Sequence, residues 1–534
     1  MEKKRLKNQW CVLFIILAFT VTFMVAFTTP ALAETPQSGG TLKIISRLST
    51  NVLGTPPEGR YGFSRFARPA YDGMFFPGEN FVPLPGLVES YDITPDGKIM
   101  TFHVRKGVKF IDGNTMDAES VKWALTHMGG SANYVRKVKS FDVVDKYTLR
   151  INFKVFDSNL VTHIQYAGGF ICSPAAFAIK TTPENRAKDH MVGAGPFKFV
   201  SWQRDVNLIY KKNENYWQKG KPYLDELHFL WIKDPMTAIA AFKAGEGQMI
   251  IDLLPKDGAQ LKKDGYRVGS VALGGPILVP DAANPNSPFA DKRVREAVEY
   301  AIDRKAIADG LGHGFWTAVN QPDAPGGFAW DPNFKGREYN PAKAKKLLAE
   351  AGHPKGFQTR IIALTNVSQD ALVSVSTFLA EVGIKAKIEI VDRGKYAEVN
   401  RKGWENGLLW GGSFGARLDN LDRSHSVGST RNKSMYRPKG WQDMLDAAIS
   451  EVDYDKRVEK IKGLAKVIHD EAMSVPLWAE SYIWAMNDKV HTDFGKYHPY
   501  YFMPESADFA ITIWLSTPCR INSIRCDRLL QLHA

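Results

Sequence analysis

The stretch from residue 357 to residue 391 constrains this chain more than any other. Residues 357–364 (FQTRIIAL) read as a strand, 368–382 as a helix stopped by Gly383, and 384–391 (IKAKIEIV) as a second strand with alternating apolar and polar positions. A strand, a crossover helix and another strand imply locally parallel pairing, which tight hairpins cannot provide. The same grammar surrounds the unit. Val294, Ala297, Val298, Ala301 and Ile302 follow the i, i+3, i+4, i+7, i+8 stripe of a helix packed on a core. Asn340 can cap a helix with Pro341 at its first position and Gly352 at its end. Leu408, Leu409 and Trp410 form a buried strand leading into a Gly-rich loop, and a last helix carries Val458, Ile461, Leu464, Ala465 and Ile468. The first half differs. Leu149, Ile151 and Phe153 alternate with polar neighbours, as do Met100, Phe102 and Val104, and turns at Pro95-Asp96-Gly97 and Asp145-Lys146 point to antiparallel sheet.

The N-terminus fixes where such a chain works. Residues 1–9 are basic, residues 10–28 form an apolar run, and Ala31-Leu32-Ala33 offers a small-x-small cleavage site. This is the pattern of a secretory signal peptide over residues 1–33, and it implies export to the periplasm. The apolar run approaches the ~20 residues that span a bilayer, so an uncleaved anchor is the alternative. Cys11 precedes the apolar run and is not placed for lipid attachment. Of a net charge of +12, the segment containing Lys3, Lys4, Arg5 and Lys7 against Glu2 supplies +3, and no basic run interleaved with aromatics follows. A nucleic-acid partner is therefore not indicated. Removing the leader leaves Cys172, Cys519 and Cys526, too few for a disulfide framework in so long a chain. Cys519 and Cys526 could pair within the tail, with Cys172 as a small buried hydrophobe.

Residues 87–125 (LVESYDITPDGKIMTFHVRKGVKFIDGNTMDAESVKWAL) resemble the signature segment of the family 5 extracellular solute-binding proteins of ABC importers. Further matches lie at 193–204 (GAGPFKFVSWQR), 212–217 (KNENYW), 288–307, 339–352 and 472–478 (AMSVPLW). The resemblance implies an α/β, two-lobed periplasmic-binding-protein fold with mixed sheets and an extra domain inserted in the first lobe. It places residues 34–60, 190–275 and 490–516 in a first-lobe mixed-sheet domain, 61–189 in the inserted domain and 276–489 in a second-lobe α/β domain. Residues 517–534 match nothing in the family pattern. The implied function is that of a monomeric receptor without catalysis or cofactor. It captures a peptide or peptide-like solute between the lobes and delivers it to an inner-membrane permease driven by a separate ATPase. Opines, oligosaccharides, nickel chelates and haem are the other ligand classes of the family.

Ligand contact is expected in the loop after the strand at 408–410, because ligands in open α/β sheets collect outside the carboxyl ends of the strands. The candidates are Trp410, Gly412, Ser413, Phe414, Arg417 and Asp419. Trp410 is expected to offer a flat apolar wall. Ser413 stands where peptide-binding members of the family carry the Asp that pairs with the ligand's ammonium, and Arg417 stands where an acidic residue often follows. The two exchanges favour a ligand with an exposed carboxylate or phosphate, unless Asp419 or Asp422 pairs with Arg417.

Gly411, Ser413 and Gly415 also spell Gly-x-Ser-x-Gly, so a serine hydrolase using Ser413 is the alternative from another class. Against it, residues 416–426 show no apolar helical stripe, and such an elbow leads directly into a helix. The twelve His residues are dispersed, with His491 and His498 the closest pair, and no metal site is expected. Gly193-Ala194-Gly195-Pro196 precedes strand-like Phe197–Val200 and is not a phosphate loop.

Overall fold

The computed structural model describes residues 36–50, 53–54, 65–78, 82–127, 135–165, 169–182, 185–411, 415–492 and 507–509. The leader at 1–33, the three loop residues at 412–414, His498 and the tail at 517–534 lie outside them. Ser38–Asp508 forms one compact unit. The other unit, Met1–Gln37 with Phe509–Ala534, is described only at its margins.

The first lobe is built on a mixed sheet. Thr41–Ser46 runs parallel to Glu226–Trp231 on one side and to Met249–Ile251 on the other. Antiparallel strands extend it in both directions: Asn207–Lys212 and Phe197–Gln203 beyond the first, Trp478–Met486 and Arg267–Gly274 beyond the second. The helices Pro235–Lys243 and Pro255–Lys263 begin with proline, which fits a first turn whose N–H would be unbonded anyway. Asp234 caps the first of them by accepting the Thr237 N–H at 2.8 Å. Their apolar sides bury Ala238, Phe242 and Leu261 against Ile45, Ile250 and Ile483 of the sheet.

The inserted domain is an antiparallel sheet ordered Val88–Ile93, Ile99–Val104, Thr148–Phe153, Val138–Asp145. The turn at Gly97 has a φ of +67° and closes when its N–H donates to the Thr94 carbonyl at 2.8 Å. Met100, Phe102, Val104, Leu149, Ile151 and Phe153 all face one core, as their alternation predicts. The helices Ala118–His127 and Ser158–Gln165 cover it with Val121, Leu125, Leu160 and Ile164. Cys172 is buried.

The second lobe is the α/β unit legible in the sequence. Its sheet runs Ile384–Val391, Phe357–Leu364, Gly407–Gly411, Ile277–Pro280, Val475–Pro476. The first three strands are parallel, with Phe357 opposite Ile384, and the helix Gln369–Glu381 is their crossover. Ser368 caps that helix, Asn340 caps Pro341–Glu350, and Asp291 caps Lys292–Ala301. Two features differ from the sequence reading. Residues 478–486, inside the span 276–489 expected for the second lobe, are a strand of the first-lobe sheet. And Leu418–His425 is a helix, although no stripe was expected there. Its inner face is Leu418, Asp419, Leu421 and His425; two polar residues sit at helical spacing among the apolar ones and hide the periodicity.

The lobes are joined where the chain crosses between the sheets. One crossing follows Arg267–Gly274 and enters Ile277–Pro280; the other leaves Val475–Pro476 and enters Trp478–Met486. Gly274 has a φ of +82°, a conformation that a side chain would strain.

Candidate ligand site between the lobes

The strand Gly407–Gly411 is buried along its whole length between Phe357–Leu364 and Ile277–Pro280. Its last residue, Gly411, lies opposite Ile277, the first strand residue after the crossing from the first lobe. Trp410 is 5% exposed and belongs to the second-lobe core. Its ring meets Trp478 edge to face at 5.9 Å, and Trp478 stacks on Trp316 at 5.4 Å. The Tyr396 hydroxyl donates to the Trp410 carbonyl at 2.8 Å. Where an open aromatic wall was expected, the ring is covered.

Gly412, Ser413 and Phe414 fall outside the described residues. The chain resumes at Gly415, and Asp323 anchors the backbone just beyond it. The buried carboxylate of Asp323 accepts the backbone N–H of Ala324 and of Ala329, each at 2.9 Å, and that of Ala416. Burial pushes the Asp323 pKa up, against the pull of these three N–H groups.

Arg417 then grips Asp419 with two parallel bonds, Nε to Oδ1 at 2.9 Å and Nη2 to Oδ2 at 2.6 Å. Arg417 keeps 25% of its side chain exposed and Asp419 only 5%. Burial opposes the charge on Asp419, but Arg417, with help from Arg423 and His163, holds the carboxyl below its usual range. The cation expected to await an anionic ligand is thus already balanced by a neighbour two residues on. Asp422, the other possible partner, instead feels Lys137 and Arg136, with burial pushing its pKa up.

The helix Leu418–His425 packs against Ser158–Gln165 of the inserted domain. His163 lies in the seam; burial, aided by Arg417 and Arg423 and opposed by Asp419, pulls its pKa down to about 4. Lys137 pairs at 3.0 Å with buried Asp157, which feels Asp422 of the second lobe, and Val452 of the second lobe sits where a side chain on Gly97 would lie 2.9 Å away, against Phe156.

The first lobe adds a cluster that the sequence reading missed. Arg65 pairs with Asp252 at 2.5 Å and lies over the Tyr482 ring at 4.6 Å. Ser46 Oγ donates to Asp252 Oδ2 at 2.7 Å, and Arg47 donates to the Asp252 carbonyl at 3.2 Å. These residues are too far apart in the chain for any local pattern to connect them.

No cluster of three or more His, Cys, Asp or Glu side chains suited to a metal occurs among the described residues. Gly193 and Gly195 serve close packing: a Cβ on Gly193 would fall 2.2 Å from the Ala70 carbonyl oxygen, and the strand Phe197–Gln203 follows. The helix after the Gly-x-Ser-x-Gly sequence starts at Leu418, five residues beyond Ser413, so it does not form the immediate strand–turn–helix of a nucleophile elbow.

Residues 82–433 match the model of the bacterial extracellular solute-binding proteins, family 5 Middle. The chain is 30% identical over 444 residues to a glutathione-binding protein of Salmonella paratyphi A, covering 78% of this chain and 85% of that one. Among solved structures it resembles a periplasmic binding protein of A. tumefaciens R10 in complex with agropinic acid, at 25% identity and a TM-score of 0.71, over 88% of this chain and 99% of that one. It also shares the fold of a Brucella suis protein in complex with Fe(III)-EDTA, at 21% identity and a TM-score of 0.77, over 88% of this chain and all of the other. A serine hydrolase finds no support in these relatives.

Proposed function

Because the chain belongs to the family 5 bacterial extracellular solute-binding proteins, which serve ABC importers, we propose that its solute is a peptide or peptide-like molecule held between the two lobes. The observation that carries this reading is the bidentate Arg417–Asp419 pair at the mouth of the second-lobe sheet, facing the inserted domain. The paired guanidinium is not a bare cation set for a simple anion, and the quarter of its side chain that stays exposed can donate to the carboxylate and carbonyl groups of a peptide-like solute. Glutathione, the ligand named for the Salmonella relative, is a tripeptide of that kind.

In this reading Gly412, Ser413 and Phe414 line the ligand together with Arg417 and Asp419, and Trp410 backs them. Ligand binding favours the closed arrangement of the lobes, and the permease recognises that arrangement. The protein carries out no chemistry of its own, acts as a monomer, and is released to the periplasm by cleavage after Ala33.

A thermal-shift series with reduced glutathione, short peptides, opines, oligosaccharides and nickel chelates tests the class. A true ligand at a hundredfold excess over its Kd adds about 2.7 kcal/mol of stability. A shift with an opine or a chelate and none with any peptide would refute the peptide-like reading, and ester turnover labelled at Ser413 would refute the receptor. Mass measurement of the exported protein checks the cleavage site.

A further inference from the structure

The helix Ser158–Gln165 has a core side and an outer side, and both are buried. Leu160 and Ile164 pack into the inserted domain's own core. Asn159 lies roughly 100° and 140° round the helix from them, and Ser158 roughly 160° and 120°. Positions so placed on a surface helix are normally wet. Here Asn159 is 0% exposed, and Ser158 and Gln165 are buried as well. The helix packs against Phe75–Pro77 and Pro83–Pro85 of its own domain and against Leu418–His425 of the second lobe, and His163, one turn on from Asn159, feels the charges of Asp419, Arg417 and Arg423.

What is buried there is unsatisfied. Asn159 Oδ1 and Nδ2, Ser158 Oγ and Gln165 Oε1 have no hydrogen-bond partner among the described residues. Buried side-chain amides without partners are rare because each gives up its water for nothing. Two amides and a hydroxyl so placed on one eight-residue helix, beside the seam with Leu418–His425, are most simply satisfied by what the cleft holds.

We propose that this outer face of Ser158–Gln165 is a ligand-contact surface, on which Asn159 offers its side-chain amide to an amide group of the solute. The proposal rests on the reading that the ligand lies between the lobes, and it names the ligand chemistry. An Asn side chain presents two donors and an acceptor, so it can pair with both the N–H and the C=O of a peptide bond. Polar sites built this way also discriminate strongly, because an analogue lacking the matching group leaves the buried amide unpaired.

The test compares wild type with Asn159→Leu, which is nearly isosteric, and with Asn159→Ala, which is smaller should the first fail to fold. Calorimetry uses reduced glutathione and triglycine as probes, native mass spectrometry follows any solute carried through purification without refolding, and thermal unfolding is read on ligand-free protein. The expected result is a Kd raised at least tenfold, or the carried solute lost, with the ligand-free melting temperature of Asn159→Leu unchanged or higher. Equal affinity and equal solute content in wild type and variants overturn the proposal. A wild type that binds neither probe yet carries a solute lost from the variants upholds the contact face and overturns the peptide-like reading. A wild type with neither probe binding nor carried solute overturns both.

Discussion

Leu477 donates its backbone N–H to the Pro276 carbonyl at 3.2 Å, and these two residues sit at the two crossings between the lobes. The crossings therefore lie side by side, as a hinge of few residues requires. Arg304 secures the second crossing from behind, its Nε donating to the Pro476 carbonyl at 2.6 Å and its Nη1 to the Glu299 and Arg337 carbonyls. The second lobe is thus tied to the second crossing through a buried arginine.

The same arginine borders a buried charge network. Arg337 bonds to buried Glu299 at 3.1 Å and to Glu296 at 2.9 Å. Burial pushes the Glu299 pKa up, with Arg337 and then Arg304 opposing. Arg337→Met should cost about 3–5 kcal/mol in urea unfolding, because it leaves a buried carboxylate uncompensated. Adding Glu299→Gln should restore part of the loss. A single variant as stable as wild type would show that the network contributes nothing.

Trp410 should behave as a core residue in stability measurements. Truncation to Ala removes a large buried ring and its edge-to-face contact with Trp478, at a cost of about 3–5 kcal/mol. Trp410→Phe should lose less. Full stability in Trp410→Ala together with lost ligand affinity would instead make the ring a wall of the ligand site.

The Arg417–Asp419 pair should be energetically coupled. Exposed ion pairs contribute roughly 0–1 kcal/mol, but Asp419 is buried and the geometry is bidentate, so a double-mutant cycle to Ala should return a coupling above about 1 kcal/mol. Asp419→Ala alone should weaken the seam with Ser158–Gln165, read as faster amide exchange in both helices. A coupling near zero would mean that Arg417 stays available to the ligand.

Stability should fall on mild acidification. The His163 pKa is depressed to about 4 in the folded protein, against about 6.5 when unfolded, so the folded state binds fewer protons between those values. Its contribution is fully present above about pH 6.5 and is lost as pH falls toward 4; the deficit is about 2 kcal/mol at pH 5. His425, depressed to about 3 by burial, adds a slope of the same sign. His163→Gln should flatten the pH dependence of urea unfolding between pH 7 and pH 5, and an unchanged slope would exclude His163 as its source.

The sequence by itself determined what depends on neighbours in the chain. Phe357–Leu364 pairs with Ile384–Val391 through one crossover helix, and Thr148–Phe153 with Val138–Asp145 through one turn. Asn340 caps the helix that its own Pro341 begins. In each case the apolar period and the turn chemistry act over a few residues and leave little choice. Tertiary structure decided the rest. Sequence order places Trp478–Met486 with the second lobe and cannot assign it to the first sheet, because its partners at 249–251 and 267–274 lie some two hundred residues earlier. Periodicity marks Trp410 as buried or nearly so without saying whether ligand or Trp478 covers it. It misses the helix Leu418–His425 because Asp419 and His425, polar by composition, are buried. Nor can spacing choose between Asp419 and Asp422 as the partner of Arg417. That choice depends on which carboxylate the packed inserted domain buries beside the guanidinium and which it leaves near Lys137, and such burial exists only once the segments have closed on one another.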